Sequence, residues 1–189
     1  MKLYDFSLAP NPRRVRIFLA EKGIEVPLVS VNTREMEHFS DWFGEKNPGR
    51  TIPLLELDDG TCISESVAIC RYFEEIQPDP PLFGSGAVER AMVEMWNRRA
   101  ELEGVQAVAE IVRNAAPMFE DRGIAGVRGV PQIPALIDRG KASLARFFET
   151  IDARLGEARY LAGETFSIAD ITAFVAIGFA GRVEIGVPE

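Results

Sequence analysis

The chain has 189 residues, of which 47% are hydrophobic and 26% are charged, a composition typical of an ordinary globular protein with one domain or two small ones. Its 29 acidic residues outnumber the 21 lysines and arginines, and the net charge of −8 disfavours a protein that binds nucleic acid through the phosphates. Two cysteines, Cys62 and Cys70, are too few for a disulfide framework and lack the spacing of metal ligands. The sequence therefore predicts neither a nucleic-acid partner nor a bound metal, and Cys70, among apolar helix positions, is expected to be a packed thiol.

Segments near the two ends of the sequence indicate where in the cell the protein is expected. The first residues lead directly into a strand pattern without a signal-peptide motif. The most apolar segment, residues 171–181, is too short to cross a bilayer and is typical of a buried helix. We therefore expect a cytoplasmic protein that does not associate with a membrane.

The first elements along the chain predict a strand, a helix and a second strand. A strand is expected over residues 2–6, and Asn11-Pro12 then marks a helix start, because Asn is a favoured N-cap and Pro is favoured at the first helical position. Apolar residues at helical spacing continue as far as Gly23, which ends the helix. A second strand over residues 26–31 implies a parallel pair joined by a right-handed crossover.

Residues 51–66 predict a hairpin that leads into a helix. Strand patterns at 52–57 and 61–63 flank a tight Asp-Asp-Gly turn at residues 58–60. The order of the elements in this half is that of a thioredoxin-like α/β domain.

Two features of this hairpin suggest a ligand. Pro53 removes a ladder donor from a strand, and one reason for its presence is that the Ile52 backbone is kept free to pair with a group outside the protein. Glu65-Ser66 lies where a new helix presents unpaired N–H groups and the positive end of its dipole. An extended edge beside a helix N-terminus suits a small peptide that carries a carboxylate, such as glutathione.

A domain boundary is predicted at QPDPPLFGSG, residues 77–86, because three prolines and two glycines in ten residues cannot continue a helix or a central strand. The second half shows no strand-like alternation and is predicted to be all-α. The predicted organisation is a first domain at 1–78, a linker at 79–86 and a helical domain at 87–189.

Three helices are predicted in the second half. Apolar spacing predicts helices over residues 88–105 and 136–155. Near the end, FSIADI at 166–171 contains a capping box, in which Ser167 caps the N–H of Asp170 and Asp170 reaches back to the N–H of Ser167.

The chain resembles the glutathione transferase superfamily. The resemblance rests on Thr51-Ile52-Pro53 followed by Glu65-Ser66, and it extends through Phe166 to Thr172, which resembles the folding-nucleus box of that family's helical domain. It implies that the Ile52–Pro53 bond is cis and that the fold is a thioredoxin-like domain followed by an all-α domain. Relatives continue through further helices, so this chain is expected to lack the last ones.

Within the family, the chain is most similar to atypical fungal and bacterial theta-like members that lack the usual catalytic serine or tyrosine. The pattern Pro-x-Pro-x-Arg-Val-Arg-Ile recurs at residues 10–17, and the alignment puts Ala9 where better-known members carry a catalytic serine. Three replacements are open: Asn11, which other classes use to contact the sulfur; Ser7; or backbone N–H groups and a bound water at the helix start. A histidine that serves some atypical members is replaced at Arg113-Asn114.

The resemblance also implies which residues hold glutathione. Glu65 and Ser66 are expected at its γ-glutamyl end, Ile52 and Pro53 along its backbone, and His38 and Arg50 at its glycine end. His38 is expected to contact the glycine carboxylate, and for Arg50 a contact with that carboxylate and a solvated surface role both stay open.

The implied function is a cytoplasmic, homodimeric glutathione transferase that conjugates the glutathione thiolate to hydrophobic electrophiles, a detoxification reaction that uses glutathione as co-substrate and no metal. Two alternatives stay open. One is a non-catalytic glutathione- or protein-binding module of the same fold, for which Ala9 is the best argument. The other is a glutathione-dependent peroxidase, isomerase or dehalogenase.

Overall fold

The computed structural model of the chain describes residues 1–182. Its first half is a four-stranded mixed sheet with three α-helices and one short 3₁₀ turn. The elements are β1 (Lys2–Asp5), α1 (Pro10–Glu21), β2 (Leu28–Ser30), the 3₁₀ turn (Glu37–Phe39), α2 (Asp41–Lys46), β3 (Leu54–Glu56), β4 (Cys62–Ser64) and α3 (Ser66–Ile76).

The strands lie in the order β2-β1-β3-β4. Strand β1 runs parallel to β2 and antiparallel to β3, so that Leu3 lies opposite both Leu28 and Leu55. Strand β4 returns antiparallel to β3 after the Asp-Asp-Gly turn. One parallel pair bridged by α1 and one antiparallel hairpin confirm the thioredoxin-like α/β fold predicted from the sequence.

The start of α1 was predicted wrongly. The helix begins at Pro10, and its N-cap is Ala9 (φ −81°, ψ 141°), which gives no side-chain cap. Asn11 is therefore the second helical residue. Both Pro10 and Pro12 are compatible with a first helical turn, because the N–H groups of that turn have no partner within the helix.

The strands are also shorter than their apolar patterns suggested. The predicted strand over 26–31 is reduced to Leu28–Ser30, and the one over 52–57 is reduced to Leu54–Glu56. In both cases the ladder begins after a proline, Pro27 or Pro53, which has no N–H to donate to a neighbouring strand.

The second half is helical, as expected. Its elements are α4 (Ala87–Arg99), a π-helical turn (Ala100–Val105), α5 (Gln106–Ala115), a 3₁₀ turn (Pro117–Phe119), α6 (Ala135–Glu157) and α7 (Ile168–Arg182). The predicted helix over 88–105 thus continues through the π turn as far as Ala115. This confirms the all-α second half of the family's architecture.

Helix α7 contributes many buried residues to the helical unit, and the close approach of its neighbours explains Gly104. A Cβ on Gly104 would lie 2.9 Å from the Cβ of Ala176 in α7 and 2.9 Å from Cε1 of Phe147 in α6. Thr172, also on α7, is fully buried and donates a hydrogen bond of 2.6 Å to Oδ1 of Asn97. The apolar segment at 171–181 is therefore part of a buried helix, as predicted.

The predicted capping box is half confirmed. The Asp170 carboxylate accepts from the Ser167 N–H (2.9 Å) as expected, and it also accepts from the Ser167 hydroxyl and from the N–H of Leu161. The Ser167 oxygen, however, accepts from the N–H of Ala169 at 3.3 Å rather than from that of Asp170.

The chain folds into two compact units. The first comprises Met1–Pro80 and Ile124–Arg128, and the second comprises Pro81–Gly123 and the chain from Gly129 onward. No sequence pattern predicted that Ile124–Arg128 groups with the first unit. Among residues 1–182, no helix is long and apolar enough to cross a bilayer.

Candidate glutathione site

The start of α3 is built around an unusual backbone conformation at Glu65. This residue follows β4 directly and has φ 71° and ψ 117°, a region that residues other than glycine rarely adopt. The turn leaves the Glu65 side chain exposed and buries Ser66, which is only 4% exposed and is the first residue of the helix. A negative group here would meet the positive end of the α3 dipole, with the Glu65 carboxylate beside it.

Sequence reasoning missed the residue that supports Ser66. Arg14 on α1 is fully buried, and its Nη1 donates to Oγ of Ser66 across 3.0 Å. A guanidinium can only donate, so the Ser66 oxygen accepts from it and the hydroxyl hydrogen remains available for another acceptor. The signal in the sequence was that Arg14 lies four residues before the core residue Phe18, on the buried face of α1.

Cys70, one turn after Ser66 on α3, is completely buried. Burial raises the pKa of its thiol, and the nearby Arg14 charge offsets this only in part. The expectation of a packed thiol is confirmed at this position, and a buried thiol of raised pKa is unreactive.

The Ile52–Pro53 bond is cis, as the family resemblance implied. Pro53 is buried, and the Ile52 side chain packs against the core of Tyr4, Phe43 and their neighbours. Within residues 1–182, neither the N–H nor the carbonyl of Ile52 makes a hydrogen bond. This stretch of backbone therefore offers a donor and an acceptor to an extended peptide.

Asn47 holds the turn that precedes Ile52. Its Nδ2 donates to the carbonyl of Thr51 (2.8 Å), and its Oδ1 accepts from the N–H of Gly49 (3.1 Å). Arg50, within the turn, has φ 49°. Its Nη1 donates to the carbonyl of Ser40 at 2.9 Å, and its guanidinium lies so close to Gly44 that a Cβ there would be 2.5 Å from Nη2. The guanidinium is thus directed toward the start of α2.

His38 lies in the 3₁₀ turn before α2 and is 9% exposed. The centroid of its ring lies 4.3 Å from that of Phe39. The preceding turn is held by Glu37, whose Oε2 accepts from the N–H of Asn32 at 2.8 Å.

The start of α1 provides few hydrogen-bond donors. Pro10 and Pro12 have no N–H, and the N–H of Arg13 donates to the carbonyl of Ala9 at 3.3 Å. Within residues 1–182, the backbone N–H and the side-chain amide of Asn11 both lack a hydrogen-bond partner. Asn11 therefore has a backbone N–H and a side-chain amide to offer to an anion at the start of α1.

Ser7, the other candidate at this end, is exposed, and its carbonyl accepts from Nη2 of Arg16 at 2.9 Å. Arg16 also forms an ion pair with Asp5. These contacts fix the backbone of the β1–α1 connection and leave the Ser7 hydroxyl in solvent.

Arg113 and Asn114, at the position where the resemblance to atypical members implies a histidine, have structural contacts in the helical unit. The Arg113 guanidinium donates to the carbonyl of Arg122 and stacks 4.9 Å from the ring of Phe119, and burial lowers its pKa. Asn114 accepts from the N–H of Ile133 at 2.8 Å.

Comparisons with known proteins agree with this geometry. Residues 9–76 match the family model of the glutathione S-transferase N-terminal domain, and residues 134–187 match that of the C-terminal domain. The chain belongs to the glutathione S-transferase family. Glutathione S-transferase 2 of Saccharomyces cerevisiae is 38% identical, in an alignment that covers all of this chain and 80% of that protein.

Two solved structures of the family resemble this transferase over its whole length. A glutathione S-transferase domain-containing protein of Marinobacter aquaeolei VT8 is 38% identical with a TM-score of 0.90, and 90% of that chain is covered. Gtt2 of Saccharomyces cerevisiae is 36% identical with a TM-score of 0.91, and 89% of it is covered. The predicted relationship to atypical fungal and bacterial transferases is confirmed by these matches.

Proposed function

We propose that this transferase binds glutathione in its first unit and conjugates the thiolate to hydrophobic electrophiles. The observation that carries the proposal is the unused donor pair of Asn11 at the N-terminus of α1. A thiolate placed at this point would accept from the backbone N–H and the Asn11 amide and would lie at the positive end of the helix dipole.

The γ-glutamyl end of glutathione would lie at the start of α3. Its carboxylate would accept from the Ser66 hydroxyl, whose oxygen already accepts from Arg14. Its ammonium would pair with the exposed carboxylate of Glu65. Between the ends, the backbone of Ile52 next to Pro53 would pair with the cysteinyl residue of the ligand in the manner of an added strand.

The glycine carboxylate would face His38 and the turn that contains Arg50. The Arg50 guanidinium donates to the Ser40 carbonyl, so its part in binding is to hold that turn and to add positive charge nearby. Of the residues named from the sequence, His38 is the one proposed to contact the carboxylate.

The chemistry requires that the thiol be ionised. A cysteine thiol with a pKa near 8.5 is only a few per cent ionised at neutral pH, and lowering this pKa by ~2 units requires about 2.7 kcal/mol of preferential anion stabilisation. One or two hydrogen bonds to the anion plus a helix N-terminus supply a stabilisation of this size. The proton leaves to solvent, and a sulfur lone pair then forms the new bond to the electrophilic carbon. In a substitution the bond from that carbon to its leaving group breaks and the leaving group departs with the electron pair, whereas in an addition the π bond of an activated alkene breaks and the adjacent carbon takes up a proton.

An ultraviolet titration of bound glutathione tests the proposal. The thiol of glutathione bound to the wild-type protein is expected to titrate well below its free pKa, and Asn11→Ala is expected to return it toward the free value. Ser7→Ala serves as the matched control and is expected to leave the bound pKa unchanged. Loss of the shift in Ser7→Ala alone would transfer the role to Ser7, and retention in both variants would assign the shift to the backbone N–H groups at the helix start and a bound water.

A non-catalytic glutathione-binding module is the second candidate, because Ala9 has no side-chain donor at the position of the usual serine. This alternative predicts bound glutathione with an unshifted thiol. Product analysis with alkyl halide, hydroperoxide and isomerisable substrates separates conjugation from the peroxidase, isomerase and dehalogenase reactions.

The proposal extends to a homodimer that acts in the cytosol in detoxification, and the family resemblance is its support. Two exposed apolar side chains are available to such an interface: Leu102 on the π-helical turn is 54% exposed, and Val88 at the start of α4 is 78% exposed. Light scattering coupled to size-exclusion chromatography measures the assembly directly.

A further inference from the structure

A five-residue segment, Ile124–Arg128, belongs to the first unit although it follows α5 by nine residues; we call it the strap. Gly126, at its centre, has φ +72°, and a Cβ on this residue would lie 2.0 Å from the carbonyl oxygen of Gly49 and 3.3 Å from Cγ2 of Thr51. No side chain fits in that space. The strap therefore rests on the turn that leads into Ile52.

The strap has a second contact beside His38. The guanidinium carbon of Arg128 lies 4.3 Å from the centroid of the Phe39 ring, and the His38 ring lies 4.3 Å from the same centroid. Arg128 is exposed and forms no ion pair within residues 1–182, so its positive charge adds to the potential around this turn.

The two contacts meet the two segments to which the proposed function assigns the glycine end of glutathione. The Gly49–Thr51 turn carries Arg50 and leads into Ile52, and Phe39 adjoins His38. Nothing in the strap contacts Ser66 or Glu65, at the other end of the proposed site, among the described hydrogen bonds and ring contacts.

We propose that the strap is a positioning element for the glycine-binding side of the glutathione site, with Gly126 fixing the Gly49–Thr51 turn and Arg128 fixing Phe39 and supplying positive charge. The inference rests on the proposed function, because it assumes that glutathione binds with its glycine end at His38. It predicts that the strap affects recognition of the glycine residue much more than recognition of the γ-glutamylcysteine part, which is also held at Ser66 and Glu65.

Two glycines of one loop give a matched pair of variants. Gly126 and Gly129 have nearly equal positive φ angles, +72° and +74°, so alanine is strained to a similar extent at both. At Gly129, however, a Cβ meets nothing within 4 Å. Gly126→Ala and Gly129→Ala therefore differ in one respect, which is whether the strap can remain seated on Gly49.

The proposal is tested by titration calorimetry, which measures the Kd for glutathione and the Kd for γ-glutamylcysteine, a peptide that lacks the glycine. Gly126→Ala is expected to raise the Kd for glutathione about tenfold and to leave the Kd for γ-glutamylcysteine within about twofold. Gly129→Ala is expected to leave both constants within about twofold of wild type. A change in the ratio of the two constants is a result that a general loss of stability does not produce.

Arg128→Gln provides a second test that does not depend on backbone tolerance, since the side chain is exposed. It is expected to raise the Kd for glutathione about threefold and to spare γ-glutamylcysteine. Arg159→Gln is the control, because Arg159 is also exposed and also lies over an aromatic ring, that of Tyr160 in the other unit. If Gly126→Ala does not fold, this pair alone decides the outcome.

The inference is overturned if the strap variants weaken both peptides equally, if Gly126→Ala and Gly129→Ala behave alike, or if the Arg128→Gln and Gly126→Ala proteins bind glutathione as the wild type does. These results leave the proposed function standing, because the wild-type protein still binds glutathione. A wild-type protein that binds neither peptide overturns both proposals.

Discussion

Arg14 and Ser66, 52 residues apart in the sequence, share a buried hydrogen bond of 3.0 Å between Nη1 and Oγ. The bond joins the helix that would hold the thiolate to the helix that would hold the γ-glutamyl carboxylate. It also fixes the direction of the Ser66 hydroxyl, since the oxygen accepts from Arg14 and the hydrogen points elsewhere. Two parts of the proposed site are thereby held by one contact.

A double-mutant cycle between Arg14 and Ser66 tests this link. Ser66→Ala is expected to weaken glutathione binding by about 1–2 kcal/mol, because a hydrogen bond to a charged group is lost. Arg14→Lys keeps the positive charge but loses the planar geometry of the guanidinium. It is expected to weaken glutathione binding in the wild-type background and to have little effect in the Ser66→Ala background. The difference between the two backgrounds, the coupling energy, is expected to be about 1 kcal/mol. Titration calorimetry on the four proteins gives the coupling, and strictly additive effects would contradict the positioning role of Arg14.

The Glu56 carboxylate predicts a specific dependence of stability on pH. It accepts from the Tyr4 hydroxyl at 2.6 Å and pairs with Lys46 at 2.9 Å, and these contacts lower its pKa from 4.5 to about 2. Because the Glu56 carboxyl has a higher pKa in the unfolded chain than in the folded protein, its ionised form stabilises the fold. This contribution to the free energy of unfolding is complete above about pH 4.5 and is lost as the pH falls toward 2.

Glu56→Gln is therefore expected to remove part of the acid sensitivity. Urea unfolding measured between pH 7 and pH 2.5 should show a shallower fall in the free energy of unfolding below pH 4.5 than in wild type. Glu164→Gln, at an exposed position, is the control and should follow the wild-type curve. Equal slopes in all three proteins would show that Glu56 does not link folding to protons.

Lys22 is a buried cation whose removal should be costly. It is 4% exposed, donates to the carbonyls of Gln77 and Pro80 at 2.7 Å each, and forms an ion pair of 2.6 Å with Glu74. Lys22→Met buries Glu74 without this partner and is expected to reduce the free energy of unfolding by about 3–5 kcal/mol. Adding Glu74→Leu is expected to restore part of the loss, and urea unfolding that shows no recovery would mean that the carbonyl contacts dominate.

Asp170 accepts three hydrogen bonds, from the Ser167 N–H, the Ser167 hydroxyl and the Leu161 N–H. Asp170→Asn keeps the size of the side chain but removes the charge and one acceptor, and a loss of stability of about 2 kcal/mol is expected. Ser167→Ala, which retains both backbone donors, should cost about 1 kcal/mol. Thermal unfolding in which the two variants rank in the opposite order would place the main contribution in the serine hydroxyl.

The order of elements in the first unit was predictable because it depends on local signals. The Asp-Asp-Gly turn, the cluster of prolines at 77–86 and the period of the apolar residues each act within a few positions. The start of α1 was missed by two residues, since Pro10 and Pro12 both suit a first turn and only tertiary packing decides between them. The π-helical turn at Ala100–Val105 was missed because a single turn of different pitch changes the apolar spacing very little.

Most of the contacts that organise the candidate site could not be predicted from the sequence. In the sequence Arg14 is one member of a basic cluster, and only the pairing of α1 with α3 shows that it lies beneath Ser66. Arg50 stays a predicted ligand of the glycine carboxylate, and no pattern in the sequence indicated that its Nη1 donates to the Ser40 carbonyl. The strap lies about 75 residues from Gly49 in the sequence, and no periodic pattern links segments so far apart.

The burial of Cys70 has a consequence for the durability of a protein that handles reactive electrophiles. An enzyme that ionises one thiol in the presence of alkylating agents exposes its own cysteines to the same agents. Cys70 lies one turn beyond Ser66, yet it is fully buried, so that reagents in solvent do not reach it. Burial also raises the pKa of its thiol, which keeps the thiol protonated. Under the proposed function, Cys70 would therefore be shielded from the electrophiles that the bound thiolate attacks, whereas Cys62, the other free cysteine, is partly exposed.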